Sequence, residues 1–219
     1  MKLCLISDTH SLHDQLVLPD GCDVLVHAGD LCNGDPDNKH RIKELKNATD
    51  WLNEQTKRFA HVVAIAGNHD WACQAFMQEN CEDILRNDFF KDVHYLRDSG
   101  AVIDGVKFYG SPFTPWFGGW AFNAYRGGQI RERWDLIPQN TDVLITHGPP
   151  MGVLDRVWNE HVGCADLNLR VMTIRPKVHV FGHVHCGYGH KSVNGTEFFN
   201  ASVVNEAYEV VNKPWIVEI

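Results

Sequence analysis

Five short apolar runs in this chain each finish on residues able to bind a cation through nitrogen or oxygen. His61-Val62-Val63-Ala64-Ile65-Ala66 leads into Gly67-Asn68-His69-Asp70, which presents an amide, an imidazole and a carboxylate in consecutive positions. Leu3-Cys4-Leu5-Ile6 leads into Asp8-Thr9-His10, and Val24-Leu25-Val26 into Gly29-Asp30. Val143-Leu144-Ile145 leads into His147, and Val178-His179-Val180-Phe181 into Gly182-His183-Val184-His185. Taken singly, each such residue reads as a turn former or a solvated histidine; five runs with the same ending read as one site. Carboxylate, imidazole and amide donors without a thiolate suit Mn²⁺, Fe or Zn²⁺ and disfavour a structural cysteine-type zinc site. The pooled donors are too many for one catalytic ion that must keep a position open for water. They match two ions sharing one carboxylate, about 3.5–4 Å apart, which clamp both ends of an in-line displacement at phosphorus and acidify a bridging water.

Elements that would gather these residues follow from the pattern. A run of four to six apolar residues ending in Gly or Asp predicts a buried strand running out into a loop. In open α/β sheets ligands sit beyond the carboxyl ends of the strands, so Asp8, His10, Asp30, Asn68, His69, His147, His183 and His185 collect at one edge. Ile42, Leu45, Ala48, Trp51 and Leu52 mark one face at helical spacing within 39–59, and this helix separates two strands as a β-α-β unit requires. A second helix is predicted over 72–86, with Ala75, Phe76, Met77, Ile84 and Leu85 on its buried side, and a third over 166–174, ended by Pro176. Asp104-Gly105 and Asn194-Gly195 are two-residue hairpin loops, and Trp215-Ile216-Val217 reads as a closing strand. Residues 33–38 form a turn-rich link. Helix-separated strands followed by antiparallel hairpins fit two sheets packed face to face with helices outside.

The irregular stretch 111–138 carries Trp116, Phe117, Trp120, Phe122 and Tyr125, with Arg126 between glycines and aromatics. Long loops of this kind are functional or packed covers; packing is favoured here for the individual rings, stacking on a nucleobase being the other use. Arg126 is a candidate substrate-binding phosphate contact.

Composition narrows the function classes. The chain has 219 residues, 44% hydrophobic and 22% charged, which suits one domain over 1–219 with a large core. A formal net charge of −8 argues against a binder of long nucleic acid. It leaves a phosphate substrate open, because divalent cations reverse the local field. Seven cysteines without C-x-x-C spacing point to reduced thiols in the cytoplasm. Cys32 and Cys186, each within two residues of a candidate ligand, would be within reach of oxidants. Asp8 comes too early for a secretory apolar segment, and no run approaches membrane-spanning length.

Asp8-x-His10, Gly29-Asp30, Gly67-Asn68-His69-Asp70, His147 and Gly182-His183-x-His185, in that order, resemble the calcineurin-like metallophosphoesterase superfamily. The stretches Gly110-Ser111-Pro112-Phe113-Thr114-Pro115-Trp116-Phe117 and Thr146-His147-Gly148-Pro149-Pro150 resemble its branch of metallophosphoesterase-domain-containing proteins, relatives of the class III cyclic nucleotide phosphodiesterases. Some members of that branch lack the histidine matching His183; this chain keeps it, which implies a complete dinuclear site. The resemblance implies a four-layer α/β/β/α sandwich of two mixed sheets flanked by helices. It further implies that Asp8, His10 and His185 hold a first ion, Asp30 bridges, and Asn68, His147 and His183 complete a second. His69 would face the phosphate and protonate the leaving oxygen or stabilise its charge, with Asp70 orienting its ring. The expected activity is hydrolysis of small phosphodiesters such as 2′,3′- or 3′,5′-cyclic nucleotides, with Mn²⁺ the first choice of metal. A phosphomonoesterase or dinucleotide pyrophosphatase would share the same core, and a non-catalytic scaffold would normally have lost ligands. The oligomeric state stays open.

Overall fold

A computed structural model describes residues 1–34 and 39–219. The link predicted over 33–38 therefore falls partly outside the described residues, at 35–38. Each of the five apolar runs is a strand: β1 (Lys2–Ile6), β2 (Val24–Ala28), β3 (His61–Ile65), β7 (Val143–Thr146) and β8 (Val178–Phe181). The intervening and closing elements are α1 (Arg41–Gln55), α2 (Trp71–Gln78), β4 (His94–Tyr95), β5 (Ser99–Ile103), β6 (Val106–Ser111), α3 (Gly128–Asp135), α4 (Ala165–Ile174), β9 (Gly189–Val193), β10 (Thr196–Asn200) and β11 (Trp215–Glu218).

The strands form two mixed sheets. The first runs β11-β1-β2-β3-β4, parallel from β1 to β4 with β11 antiparallel at its edge. The second runs β9-β10-β8-β7-β6-β5, with a parallel centre and an antiparallel hairpin at each edge. Strand alternation splits the core in two. Leu3, Leu5, Val24, Val26, Val63 and Ile65 meet Phe108, Val143, Ile145, Val178 and Val180 between the sheets. The alternate residues Cys4, Ile6, Leu25, Val62 and Ala64 join Leu45, Ala48 and Leu52 of α1 in the outer cluster, which also takes in Leu144, Phe181, Leu167 and Val171. This is the α/β/β/α sandwich that the pattern and the resemblance predict. Both hairpins close on the predicted dipeptides, with positive φ at Asp104 (+48°), Gly105 (+82°), Asn194 (+53°) and Gly195 (+85°), as type I′ turns demand.

The single helix predicted over 72–86 is corrected. α2 stops at Gln78, because Asn80 takes a left-handed conformation (φ +55°) and Cys81 N donates to Phe76 O at 2.8 Å, a Schellman-type stop. A short helix, Glu82–Ile84, then runs into a wider-wound turn. Leu85 is buried as predicted, whereas Ile84 is exposed and Ala75, Phe76 and Met77 are only partly covered. α2 fixes itself to the core through Ala72 and Cys73 instead.

Candidate metal centre

All the candidate metal-binding residues lie past the carboxyl ends of β1, β2, β3, β7 and β8, and the structure brings their donor atoms together. Three overlapping groups, Asp8/His10/His185, His10/Asp30/His69 and Asp30/His147/His183, each place their ligand atoms within 4.8 Å of one another. Asp30 Oδ2 lies 3.2 Å from His147 Nε2 and 3.8 Å from His10 Nε2, between the two histidine sets. Its other oxygen, Oδ1, is already occupied, accepting from His69 N at 2.8 Å. Asp8 Oδ1 lies 3.7 Å from His185 Nε2, and His10 Nε2 faces His185 Nε2 at 3.3 Å. Asn68 Oδ1 lies 2.9 Å from His147 Nε2. Nitrogens and carboxylate oxygens aimed at common points match the donor chemistry of two divalent cations, so these residues fit such a pair.

Backbone geometry explains how strand ends reach this density. Asp8 (φ +56°), His10 (+42°), Asp30 (+55°) and His183 (+67°) all adopt the left-handed region. That conformation is unfavourable for non-glycine residues and collects at functional sites. Two glycines permit the close approach. A Cβ at Gly67 would sit 2.3 Å from Asp30 Oδ1, and one at Gly182 would sit 1.9 Å from Asp8 Oδ2. The strand-end loops are cross-tied: Asp8 N donates to Gly29 O at 2.9 Å, His183 N to Asp8 Oδ1 at 3.0 Å, and Gly182 N to His147 O at 3.0 Å.

Burial and charge set the protonation of the set. Burial pushes His10 down to about 4 and, with the neighbouring His147, His183 down to about 4, so both rings offer lone pairs at neutral pH. At His147 burial also disfavours charge, yet the Asp30 and Asp8 carboxylates outweigh it and raise its pKa to about 9. Asp30 is buried, but His147 holds its carboxyl well below the usual range. Hydrogen bonds orient two rings and, in their neutral form, fix the tautomer: His147 Nδ1 lies 2.9 Å from Ala28 O and His185 Nδ1 lies 3.1 Å from Asn205 O. Such bonds leave Nε2 of each ring for the site.

Two expectations change. Asp70 does not orient the His69 ring; its carboxylate accepts from Leu31 N (3.2 Å), Cys32 N (2.9 Å) and Gly67 N (2.7 Å), pinning the Asp30 loop to the Asn68 loop. Burial and the Asp30 charge push its carboxyl up to about 7. Cys32 is 3% exposed, out of reach of oxidants, whereas Cys186 is exposed. All seven cysteines are free thiols.

A cavity of about 730 Å³ opens over the site, lined by Asp30, Asn68, His69, His183 and His185 on one side and Trp116, Phe117, Trp120 and Tyr208 on others. The aromatic stretch is only partly a packed cover. Phe113 and Phe122 are buried, while Trp116, Phe117 and Tyr125 stay exposed. Arg126 lines the same cavity, with its guanidinium donating to Gly163 O (2.7 Å) and Val162 O (2.8 Å). Sequence reasoning missed Tyr208, whose ring meets His10 edge-on at 4.7 Å and His185 at 5.3 Å. No local pattern marks it; it follows the last ligand run by more than 20 residues and returns through the turn that brings Asn205 O to His185.

Several known proteins are similar to this chain. Metallophosphoesterase domain-containing protein 1 of Homo sapiens is 38% identical over 242 residues, spanning 100% of this chain and 71% of that protein. UPF0046 protein K07C11.7 of Caenorhabditis elegans is 38% identical over 229 residues, spanning 100% of this chain and 75% of that protein. The solved structure of TT1561 of Thermus thermophilus shares the fold at a TM-score of 0.58 and 11% identity, covering 91% of this chain and 88% of that one. No helix among the described residues is long and apolar enough to cross a membrane. The family model for calcineurin-like phosphoesterases matches residues 1–187, a span containing every candidate ligand, and the chain belongs to that family of metal-dependent phosphoesterases.

Proposed function

We propose that this protein is a phosphodiesterase for small phosphodiesters, such as 2′,3′- or 3′,5′-cyclic nucleotides. Asp8, His10 and His185 would hold one divalent ion and Asn68, His147 and His183 a second, with Asp30 shared between them. Mn²⁺ is the first candidate, with Fe and Zn²⁺ next. When bound, such ions supply Lewis acidity to the phosphoryl oxygens and acidify water near neutral pH. His69 lines the cavity beside this set and is the proton donor to the leaving oxygen. Asp70 keeps the Asp30 and Asn68 loops in register, so its role is positional.

The observation that carries the diester reading is the charge of the cavity wall. Among the described lining residues Arg126 is the one lysine or arginine, and its guanidinium already serves two backbone carbonyls; Glu160 and Glu206 also face the space. A monoester brings a second negative charge, which outside the ion pair would meet Arg126 and a protonated His69 but also Glu160 and Glu206, whereas a diester carries one. The volume of about 730 Å³ falls in the range of small-molecule sites. Exposed Trp116 and Phe117 offer faces for a base. A reducing compartment such as the cytoplasm suits seven free thiols.

The test compares Mn²⁺-loaded protein on bis-p-nitrophenyl phosphate and p-nitrophenyl phosphate. Preference for the diester is the expected result. A marked preference for the monoester would overturn the reading in favour of a phosphomonoesterase.

A further inference from the structure

His69 reaches the site without a polar partner for its ring. Nδ1 is buried and lacks a hydrogen-bond partner among the described residues, and the Asp70 carboxylate is turned to the backbone. The second torsion of an imidazole is broad, so a ring without a hydrogen bond takes its plane from packing. Trp120 supplies that packing, with ring centroids 4.3 Å apart and planes 25° from parallel. His10 meets the His69 ring edge-on at 4.7 Å.

The approach of Trp120 is built into its loop. Gly118 (φ +57°) and Gly119 (+71°) take left-handed conformations, and Trp120 N closes the turn on Phe117 O at 3.3 Å. Glycine adopts such conformations without strain. Ala121 N donates to Asn68 O at 3.1 Å, so the residue after the indole is tied to the residue before the imidazole. Phe122 is buried and its N donates to Gln74 Oε1, anchoring the loop to α2. The register of the two rings is thus fixed by backbone on both sides.

We propose that Trp120 is the positioning residue for His69, holding the imidazole plane so that Nε2 faces the leaving oxygen. This rests on the reading of His69 as proton donor. In that step a water oxygen bonds to phosphorus and the bond from phosphorus to the leaving oxygen breaks. The leaving oxygen keeps the electron pair and takes the His69 proton, while the proton lost by water passes to solvent. The contribution therefore grows with the basicity of the leaving oxygen. A phenolate needs the proton, whereas p-nitrophenolate departs without it.

The experiment uses Trp120→Leu and Trp120→Phe, alone and combined with His69→Ala, as Mn²⁺-loaded protein on diphenyl phosphate and bis-p-nitrophenyl phosphate. Trp120→Leu should lower kcat on diphenyl phosphate by about 10- to 100-fold, the scale of a misplaced reacting group. Its KM on diphenyl phosphate, and its kcat on bis-p-nitrophenyl phosphate, should stay within about twofold, because neither depends on proton delivery. Trp120→Phe should restore most of the loss, and Trp120→Leu should add nothing once His69 is alanine. Equal losses on both substrates, additive losses with His69→Ala, or a rise in KM alone would overturn the proposal, the last assigning Trp120 to substrate stacking. A His69→Ala protein that keeps its metals and full activity on diphenyl phosphate would instead remove the proton-donor reading itself. Trp120→Met replaces the leucine variant should that chain fail to fold.

Discussion

The two halves of the proposed metal centre are built differently. Around Asp30, His147, Asn68 and His183 the first three donors are at most 4% exposed and His183 is partly covered; His147 has both ring nitrogens engaged, Nδ1 at Ala28 O and Nε2 near Asn68 and Asp30. Around Asp8, His10 and His185 the carboxylate is buried and cross-tied and the partly covered His185 is held by Asn205 O, but His10 Nδ1 has no partner among the described residues. Outer hydrogen bonds that fix a ligating ring raise metal affinity, and their loss typically costs about 10- to 100-fold. The difference that remains is between two buried rings, His147 with its outer bond and His10 without one, so the Asp8 half is expected to hold its ion the more loosely; it is also the half that His69 and Tyr208 border.

The largest test of this contrast removes what the halves share. Asp30→Ala should release both ions and abolish activity, read as metal content after desalting. Two retained ions with activity would show that each half stands alone. Next in size is His69→Ala, which should keep both ions and slow turnover on substrates with a basic leaving group by about 10²–10⁴-fold. Loss of one ion in that variant would make His69 a ligand of the looser half.

A smaller effect separates the halves directly. Titration with a weak chelator should strip the ion of the Asp8/His10/His185 half first, with affinities about 10- to 100-fold apart, followed by manganese release. Simultaneous loss of both ions would erase the asymmetry. The smallest concerns the framework behind the tighter half. His179 on β8 is buried, and burial pushes its pKa down to about 3; its Nε2 lies 2.8 Å from Thr146 Oγ1, beside His147. Its folded value lies below the unfolded value of about 6.5, so the unfolded chain binds the extra proton between those limits. Stability is full above about pH 6.5 and falls on acidification towards about pH 3, by up to about 1.4 kcal/mol per pH unit for this group. In His179→Gln the slope of Tm against pH over that window should flatten; an unchanged slope would assign the acid sensitivity elsewhere, for example to His27, likewise pushed down to about 3 by burial.

The strands, both hairpins and the edge where the donors gather are legible because each is a local matter. Alternation and apolar runs encode burial in a sheet, Asp-Gly and Asn-Gly encode positive φ, and a strand end must place its next residues at the sheet's edge. The helix break at Asn80 is less legible, since an exposed asparagine ends a helix only where the following chain turns back to cap it. Asp70 is the least legible of the site residues. Adjacency to His69 suggests that it orients that ring, while the fold offers three buried backbone N–H groups. A buried carboxylate goes where its donors are.

What the sequence determined by itself was the set of candidate donors, their order along the chain and the sheets that carry them, because each follows from periodicity within a few residues. Only the tertiary structure decided which oxygen of Asp30 faces His147 and His10, that Trp120 rather than Asp70 lies against His69, and that Tyr208 closes over His10. Those relations join segments tens to hundreds of residues apart. Contacts at that separation are chosen by packing of the finished sandwich, which leaves no trace in local pattern.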